Sequence, residues 1–219
     1  MVKGLNKHGL MTLLSPIRWT VLWASVYFAA AGTLNVGFAW IYAAVYVVGG
    51  LTVGFIVAGK KPDVFNERGR IKAGSKSWDI GLVAGYFLLG LIGVPFCAGL
   101  DMRTGWSMLP LSAFYGGIVL YCISLYFSFK PLMDNPFFET NVRIQGERSH
   151  FVVDTGLYAF IRHPGYVGMI AGTLAACFAL RSLLAFIPGM IMILLIIART
   201  YLEDKTLLTE LPGYGEYTN

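Results

Sequence analysis

Six long apolar runs, separated by short polar or charged segments, dominate the pattern of hydrophobic and polar positions along the chain. A bilayer core about 30 Å thick needs roughly 17–25 apolar residues for each helix that crosses it. The runs therefore predict six transmembrane helices, at residues 19–33, 36–58, 78–100, 106–129, 164–180 and 183–198. The first, fifth and sixth runs are short, so flanking residues or local thinning of the bilayer would complete their spans.

Composition supports a membrane protein. Of the 219 residues, 56% are hydrophobic and 13% are charged, and the mean hydropathy is +0.64. A soluble domain carries about 25% charged residues, so an ordinary soluble globule and a disordered chain are both excluded. We expect an all-α, polytopic membrane bundle of about six helices. It divides into a four-helix region at 1–129 and a C-terminal region at 130–219, whose helical hairpin turns at Arg181 and Ser182.

The basic residues predict the orientation. Fifteen of the 17 Lys and Arg residues fall in segments on one side of the predicted bundle, and only Arg103 and Arg181 fall on the other. Because cytoplasmic loops are enriched in Lys and Arg, both termini and the polar segments are expected in the cytoplasm. The net charge of +5 is confined to these flanking segments, so it does not indicate nucleic-acid binding.

Few charged or metal-binding side chains fall within the predicted spans. Five of the six runs carry no internal charge, and the third has only Asp79, at its edge. This argues against a proton-coupled transporter or an ion channel, although carriers of neutral substrates stay open. Cys97, Cys122 and Cys177 lie in apolar stretches without metal-ligand spacing. Neither a metal site nor a disulfide framework is therefore predicted.

The polar side chains concentrate in two segments, 130–166 and 199–219, which flank the predicted hairpin. The short turn of that hairpin brings both segments to the same membrane face, so one site can draw on both. Pro164 suits a first helical position, and the backbone N–H groups after it could receive an anion. Arg199 and Glu203 are four residues apart and would share one helix face. The plainer alternatives are an interfacial marker around residue 163 and a surface ion pair at 199 and 203.

An ordered set of motifs in these segments resembles the isoprenylcysteine carboxyl methyltransferase family. The set comprises His150-Phe-Val-Val, Gly-Leu-Tyr at 156–158, Arg-His-Pro-Gly-Tyr at 162–166, Arg199-x-x-x-Glu203-Asp204 after the hairpin, and a closing Pro-Gly-Tyr-Gly-Glu-Tyr. The resemblance covers about residues 135–217. The wider group includes membrane phospholipid N-methyltransferases, and membrane sterol reductases share a related C-terminal architecture.

The resemblance implies a cofactor, an acceptor and a set of site residues. The cofactor would be S-adenosylmethionine, and the acceptor the carboxylate of a C-terminal prenylated cysteine or another lipophilic molecule. Arg199 would contact the acceptor, and Arg199 and Glu203 are the expected catalytic pair. The cofactor-binding residues would be Gln145, His150, Phe151, Val152, Val153, Tyr158, His163, Pro164, Gly165, Tyr166 and Glu203.

Methyl transfer to a carboxylate suits the side chains present. A carboxylate is already ionised at pH 7, so the site needs no general base and must mainly position the acceptor and exclude water. An amine acceptor would first lose a proton, with His150 or Glu203 as the available base. The lipophilic group would enter sideways from the bilayer. The alternatives are a lipid-amine N-methyltransferase, a membrane NADPH-dependent reductase, and a small transporter or scaffold.

Overall fold

The computed structural model describes residues 4–68 and 71–218, and 74% of the chain is helical. No β-strand occurs among these residues, which confirms the predicted all-α membrane bundle. The helices, in chain order, are α1 Lys7–Leu13, α2 Ser15–Ala31, α3 Gly37–Lys60, α4 Pro62–Glu67, α5 Ser77–Leu88, α6 Val94–Thr104, α7 Leu111–Asp134, α8 Pro164–Ala179, α9 Phe186–Glu210 and α10 Tyr214–Tyr217. Lys3 and Arg70, two of the basic residues that predict the orientation, lie outside the described ranges.

A helix stands at each of the six apolar runs. Within the described residues, four helical segments are long and apolar enough to span a membrane: α3, the continuous stretch Ser77–Thr104, α7 and α9. The helix at the first run, α2, has 17 residues, and α8 has 16. A straight span of 30 Å takes about 20 residues. The count of six spanning helices therefore stays a prediction for these two.

A π-helical turn at Leu89–Gly93 joins α5 to α6. The cause lies in Pro95, because proline lacks an N–H donor and its ring clashes with the carbonyl four residues earlier. The wider turn relieves that clash without ending the helix. Gly90 and Leu91 of this turn line the internal cavity described below.

The hairpin differs from its predicted form at both ends of α9. The helix begins at Phe186, so residues 180–185 form the turn, which is longer than the two residues expected. Ser182 Oγ donates to Asp101 Oδ2 at 2.6 Å, which ties this turn to the end of α6. At its other end α9 continues to Glu210, twelve residues past the predicted end. The hydropathy pattern places the end of the helix at the first charged residue. The helix itself continues past Arg199 and Glu203.

α7 and α8 form the most extensive helix pair, and small residues permit their close approach. A Cβ atom added at Gly117 would lie 2.4 Å from the backbone nitrogen of Ala179. A Cβ atom added at Gly168 would lie 2.5 Å from Ser128 Oγ. Ser124 Oγ donates to the Gly168 carbonyl at 2.8 Å. This pairing fixes α8, which begins at the proline of the Arg-His-Pro-Gly-Tyr motif, against the helix that precedes the polar loop.

Candidate functional site

A cavity of about 510 Å³ lies between the helices and reaches into the membrane-spanning region. It follows α8 from Pro164 to Ala176, which corresponds to about 18 Å along the helix axis. Its polar end is lined by side chains of the 135–163 loop and of α9, among them Asn135, Glu139, His150, His163 and Glu203. Its inner end is lined by aromatic and apolar side chains, among them Trp23, Tyr42, Tyr46, Tyr86, Tyr121 and Met192. One space thus joins a charged chamber to an apolar one.

The loop between α7 and α8 is held in place at its two ends. Near its C-terminal end, Leu157 N–H donates to Asp134 Oδ2 at 3.2 Å. Gly156 has a φ of 63°, and a Cβ atom there would lie 2.4 Å from the same carboxylate oxygen. Near its start, the carboxylate of Glu139 accepts from Arg143 Nε and from Lys72 Nζ, both at 2.8 Å. Burial alone would raise the pKa of Glu139, but these two hydrogen bonds hold it below its usual value.

Asp204, next to the predicted Glu203, joins three parts of the chain. Its Oδ1 lies 2.7 Å from His163 Nε2 and accepts from the Tyr214 hydroxyl at 2.6 Å. Its Oδ2 forms an ion pair with Arg162 Nη1 at 2.8 Å. The residues just before α8, the C-terminal part of α9 and α10 are therefore linked through one carboxylate. This explains how motifs that stand 40 residues apart in the sequence form one wall.

Glu203 and His163 face each other across the polar end of the cavity. The Tyr166 hydroxyl donates to Glu203 Oε2, and His163 Nδ1 lies 3.8 Å from the same oxygen. The rings of His163 and Tyr166 are stacked, with centroids 5.4 Å apart and an interplanar angle of 7°. Glu203 Oε2 accepts, and His163 Nδ1 also accepts in the tautomer that donates its Nε2–H to Asp204. In that tautomer two acceptors stand side by side, which suits a ligand that brings hydroxyl or ammonium donors.

Arg199 is buried, with 5% of its surface exposed, and its partner is Asp79 of α5 rather than Glu203. Its Nε donates to Asp79 Oδ1 at 2.6 Å, and its Nη2 donates to the Thr140 carbonyl, also at 2.6 Å. The guanidinium carbon lies 5.0 Å from the centroid of the Tyr166 ring. Within the described residues no hydrogen bond reaches Nη1. The surface ion pair considered from spacing is therefore wrong, and one guanidinium nitrogen stays available to a ligand in the cavity.

Asp79 itself is fully buried and has every partner that it needs. Its Oδ2 accepts from the Val142 backbone N–H at 2.9 Å and from Asn141 Nδ2 at 3.1 Å, in addition to Arg199. The carboxylate therefore ties α5, the polar loop and α9 together behind the cavity wall. The sequence pattern placed Asp79 at a helix edge and gave it no role.

His150 and Gln145 belong to a cluster around Phe137. The rings of Phe137 and His150 have centroids 4.4 Å apart, and Phe151 packs edge-on to Phe137 at 5.0 Å. Gln145 N–H donates to His150 Nδ1 at 3.3 Å, which leaves Nε2 as the ring donor. Burial, followed by the charges of Arg143 and Arg148, lowers the pKa of His150 below 6.5, so its ring is neutral at pH 7.

The cavity brings together every predicted site residue except Gln145. His150 to Val153, Tyr158, His163 to Tyr166, Arg199 and Glu203 all line it. Gln145 does not, because its side chain is 1% exposed and both polar ends are engaged within the fold. Its Nε2 donates to the Phe137 carbonyl at 2.7 Å, and its Oε1 accepts from Arg148 Nη1 at 2.9 Å. The role given to Gln145 by the resemblance stays a prediction, and its visible contacts hold the loop.

Three features of the site were not predicted from the sequence. Asp79 was missed, although an isolated carboxylate inside an apolar helix is a signal of function or pairing. Asp204 was noted only as the second acid of its motif. The aromatic lining supplied by α2, α3 and α5 carries no motif, so no sequence signal pointed to it. Among the described residues no group of three or more His, Cys, Asp and Glu side chains could hold a metal ion.

Comparison with known families identifies one part of the chain. Residues 118–209 match the model of the isoprenylcysteine carboxyl methyltransferase (ICMT) family. No curated protein and no solved structure matches the chain. The match supports the resemblance that the motifs carry, over a segment that runs from α7 through the polar loop and α8 to α9. With the apolar helices, it supports an integral membrane methyltransferase.

Proposed function

We propose that this protein uses S-adenosylmethionine to methylate the carboxylate of a prenylcysteine-like or other lipophilic acceptor. The observation that carries the proposal is the cavity of about 510 Å³, because it joins the charged groups of the family segment, residues 118–209, to an apolar space within the bundle. A small polar acceptor would make no contact with the apolar end. A lipophilic acceptor with a polar terminus matches both ends.

The residues around His163 fit the cofactor. S-adenosylmethionine supplies a methyl group on a positively charged sulfur, together with an ammonium, a carboxylate and ribose hydroxyls. Glu203 Oε2 and His163 Nδ1, 3.8 Å apart, would accept from the ammonium or the hydroxyls. Phe151, which is 58% exposed, offers a ring face at the cavity for a purine base. His150 Nε2–H supplies a neutral donor beside it.

Arg199 would orient the acceptor carboxylate. Because Asp79 and Thr140 engage Nε and Nη2, Arg199 offers Nη1 alone, and a two-pronged contact to the carboxylate is not available. Arg68 also lines the polar end. Burial and the charge of Arg199 lower its pKa to about 10, so Arg68 remains a cation at pH 7. These two positive groups would hold an ionised carboxylate, and its ionised state makes a general base unnecessary.

The decisive experiment is methyl transfer from labelled S-adenosylmethionine to N-acetyl-S-farnesyl-cysteine, in lipid nanodiscs, from pH 6 to 8. We expect a flat pH–rate profile with saturating cofactor, because the acceptor carboxylate is ionised throughout this range. Arg199→Lys should lower the rate by about 10²-fold, the scale of a misplaced reacting group. Calorimetry with S-adenosylhomocysteine should show a similar affinity for wild type and Arg199→Lys.

A different outcome would favour the lipid-amine alternative. An amine acceptor must lose a proton before it attacks, so its methylation rate would climb steeply through neutral pH. If the protein methylates an aminophospholipid with such a profile, leaves the farnesyl-cysteine untouched and tolerates Arg199→Lys, carboxyl methylation is rejected. Absence of S-adenosylhomocysteine binding would reject methyl transfer altogether.

A further inference from the structure

Four tyrosines surround the inner end of the cavity, and we call this group the tyrosine chamber: Tyr42 and Tyr46 on α3, Tyr86 on α5 and Tyr121 on α7. The rings of Tyr46 and Tyr121 have centroids 5.4 Å apart, and Tyr42 lies 6.1 Å from Tyr121 and 6.3 Å from Tyr46. Tyr42 lies five residues inside α3, about 8 Å along the axis. Tyr46 lies nine residues inside α3, about 14 Å along the axis.

Two of the four hydroxyls are bonded to the fold. The Tyr86 hydroxyl donates to the Met169 carbonyl at 3.1 Å, next to Thr173 Oγ1 at 3.2 Å. The Tyr121 hydroxyl donates to the Tyr46 carbonyl at 2.8 Å. These two hydroxyls are accounted for by helix packing, because each satisfies a backbone acceptor inside the bundle.

The other two hydroxyls, of Tyr42 and Tyr46, form no hydrogen bond within the part of the chain that the structure describes. Both residues line the cavity, and Tyr42 is only 4% exposed. A hydroxyl in an apolar setting without a partner is unfavourable, and phenylalanine would fill the same volume without that penalty. Tyrosines of the interfacial belt differ, since Tyr115 and Tyr126 turn outward and are 61% and 53% exposed. These two hydroxyls belong to residues that line the cavity and have no partner in the described fold, so they point to a polar atom of a ligand in that cavity.

We propose that the tyrosine chamber binds a hydrogen-bond-accepting oxygen, of the ether or ketone kind, carried within the apolar chain of the acceptor. The inference rests on the proposed function and narrows its substrate class. Tyr86 contacts α8 at Thr173, seven residues past Tyr166, which corresponds to about 10 Å along the helix axis. With the carboxylate near Tyr166 and the chamber at the level of Thr173, the oxygen would lie about 10 Å from the methylated carboxylate. A plain isoprenoid chain would leave both hydroxyls unpaired.

The test compares two thioether probes with the full-length protein in nanodiscs. One is N-acetyl-S-farnesyl-cysteine. The other is a cysteine thioether of equal length in which one carbon, about 10 Å from the carboxylate, is replaced by an ether oxygen or converted to a ketone. We expect wild type to prefer the oxygen-bearing probe by about tenfold in kcat/KM, the scale of one buried hydrogen bond. In the double variant Tyr42→Phe/Tyr46→Phe the preference should fall to about one, while the matched control Tyr126→Phe keeps it.

Each outcome separates this inference from the function on which it rests. If wild type methylates both probes equally, or if the double variant keeps the preference, the tyrosine chamber does not bind an oxygen, and the proposed function stands. If wild type methylates neither probe, the proposed function fails and the inference fails with it. Because tyrosine and phenylalanine fill nearly the same volume, loss of preference with an unchanged melting temperature reports the hydroxyls and not misfolding.

Discussion

Asp79 and Arg199 show how a charge is accommodated inside an apolar bundle. An isolated charge in a membrane helix is costly, and such residues normally pair with one another or with backbone carbonyls. Arg199 does both, with Asp79 and with the Thr140 carbonyl. The pairing also restricts the guanidinium to one orientation over the Tyr166 ring. A residue outside the family segment thus sets the position of a residue within it.

The pair leads to a prediction about stability. Asp79→Asn leaves the Arg199 charge buried without its counter-charge, so the free energy of unfolding should fall by about 3–5 kcal/mol. Unfolding in detergent, followed by circular dichroism, would measure it. Asp63→Asn, at an exposed position of α4, is the matched control and should change stability by less than about 0.5 kcal/mol. Equal stability of Asp79→Asn and wild type would show that the pair does not stabilise the fold.

At the level of residues, the sequence predicted which side chains line the site better than it predicted which side chains contact one another. Residue type and motif order identified most of the side chains that line the polar end, because the family motifs record them directly. They could not identify the partner of Arg199, since Asp79 lies 120 residues away and only tertiary packing joins the two. Gln145 illustrates the converse, because its polar atoms bond to loop groups that no motif reveals.

Helix packing between α7 and α8 depends on a single side of α7. At Gly117, the three atoms nearest to an added Cβ atom all belong to the backbone of α8, which cannot move aside. At the neighbouring Gly116, nothing lies within 4 Å of an added Cβ atom. The two adjacent glycines therefore form a natural pair of test and control.

We expect Gly117→Ala to destabilise the protein by about 1–3 kcal/mol, as overpacking does in a tight interface. Gly116→Ala should be neutral, or stabilising by up to about 1 kcal/mol, because alanine favours the helix. Thermal unfolding of both variants in the same detergent would compare them. If Gly117→Ala proved as stable as Gly116→Ala, the close approach of α7 and α8 would not limit stability.

At the level of elements, hydropathy located the helices but not their ends. A hydropathy run ends at the first charge, whereas a helix ends where its backbone hydrogen bonds end. For this reason α9 extends through Arg199 to Glu210. The π-helical turn before Pro95 could not be predicted from hydropathy either. The hairpin turn is longer than expected, and the hydrogen bond from Ser182 to Asp101 that holds it is a tertiary contact.

For the whole molecule, the distribution of charge predicts how the bundle sits in the membrane. Single cysteines would test it, in a background in which Cys97, Cys122 and Cys177 are replaced by alanine. Arg148→Cys should resist an impermeant thiol reagent added to intact cells, and Arg103→Cys should react, because the loop charges predict that residue 148 lies in the cytoplasm. Both positions are exposed. Labelling at 148 and protection at 103 would reverse the orientation.

Residues from different parts of the chain line the two ends of the cavity. The family segment supplies the polar end, and helices before residue 118 supply most of the aromatic lining of the inner end. Comparison with known families identified the segment that lines the polar end, and it matched none of the earlier helices that line the inner end. Substitutions in the family segment are therefore expected to affect the chemistry, and substitutions in the earlier helices the choice of acceptor.

The depth of the cavity within the bundle has a kinetic consequence. An acceptor that enters from the bilayer is dissolved in lipid before it reaches the enzyme, so its relevant concentration is its mole fraction in the membrane. Adding inert phospholipid at a fixed total amount of acceptor would then slow the reaction by surface dilution. Saturation curves drawn against bulk molarity would shift with lipid content, and curves drawn against mole fraction would coincide.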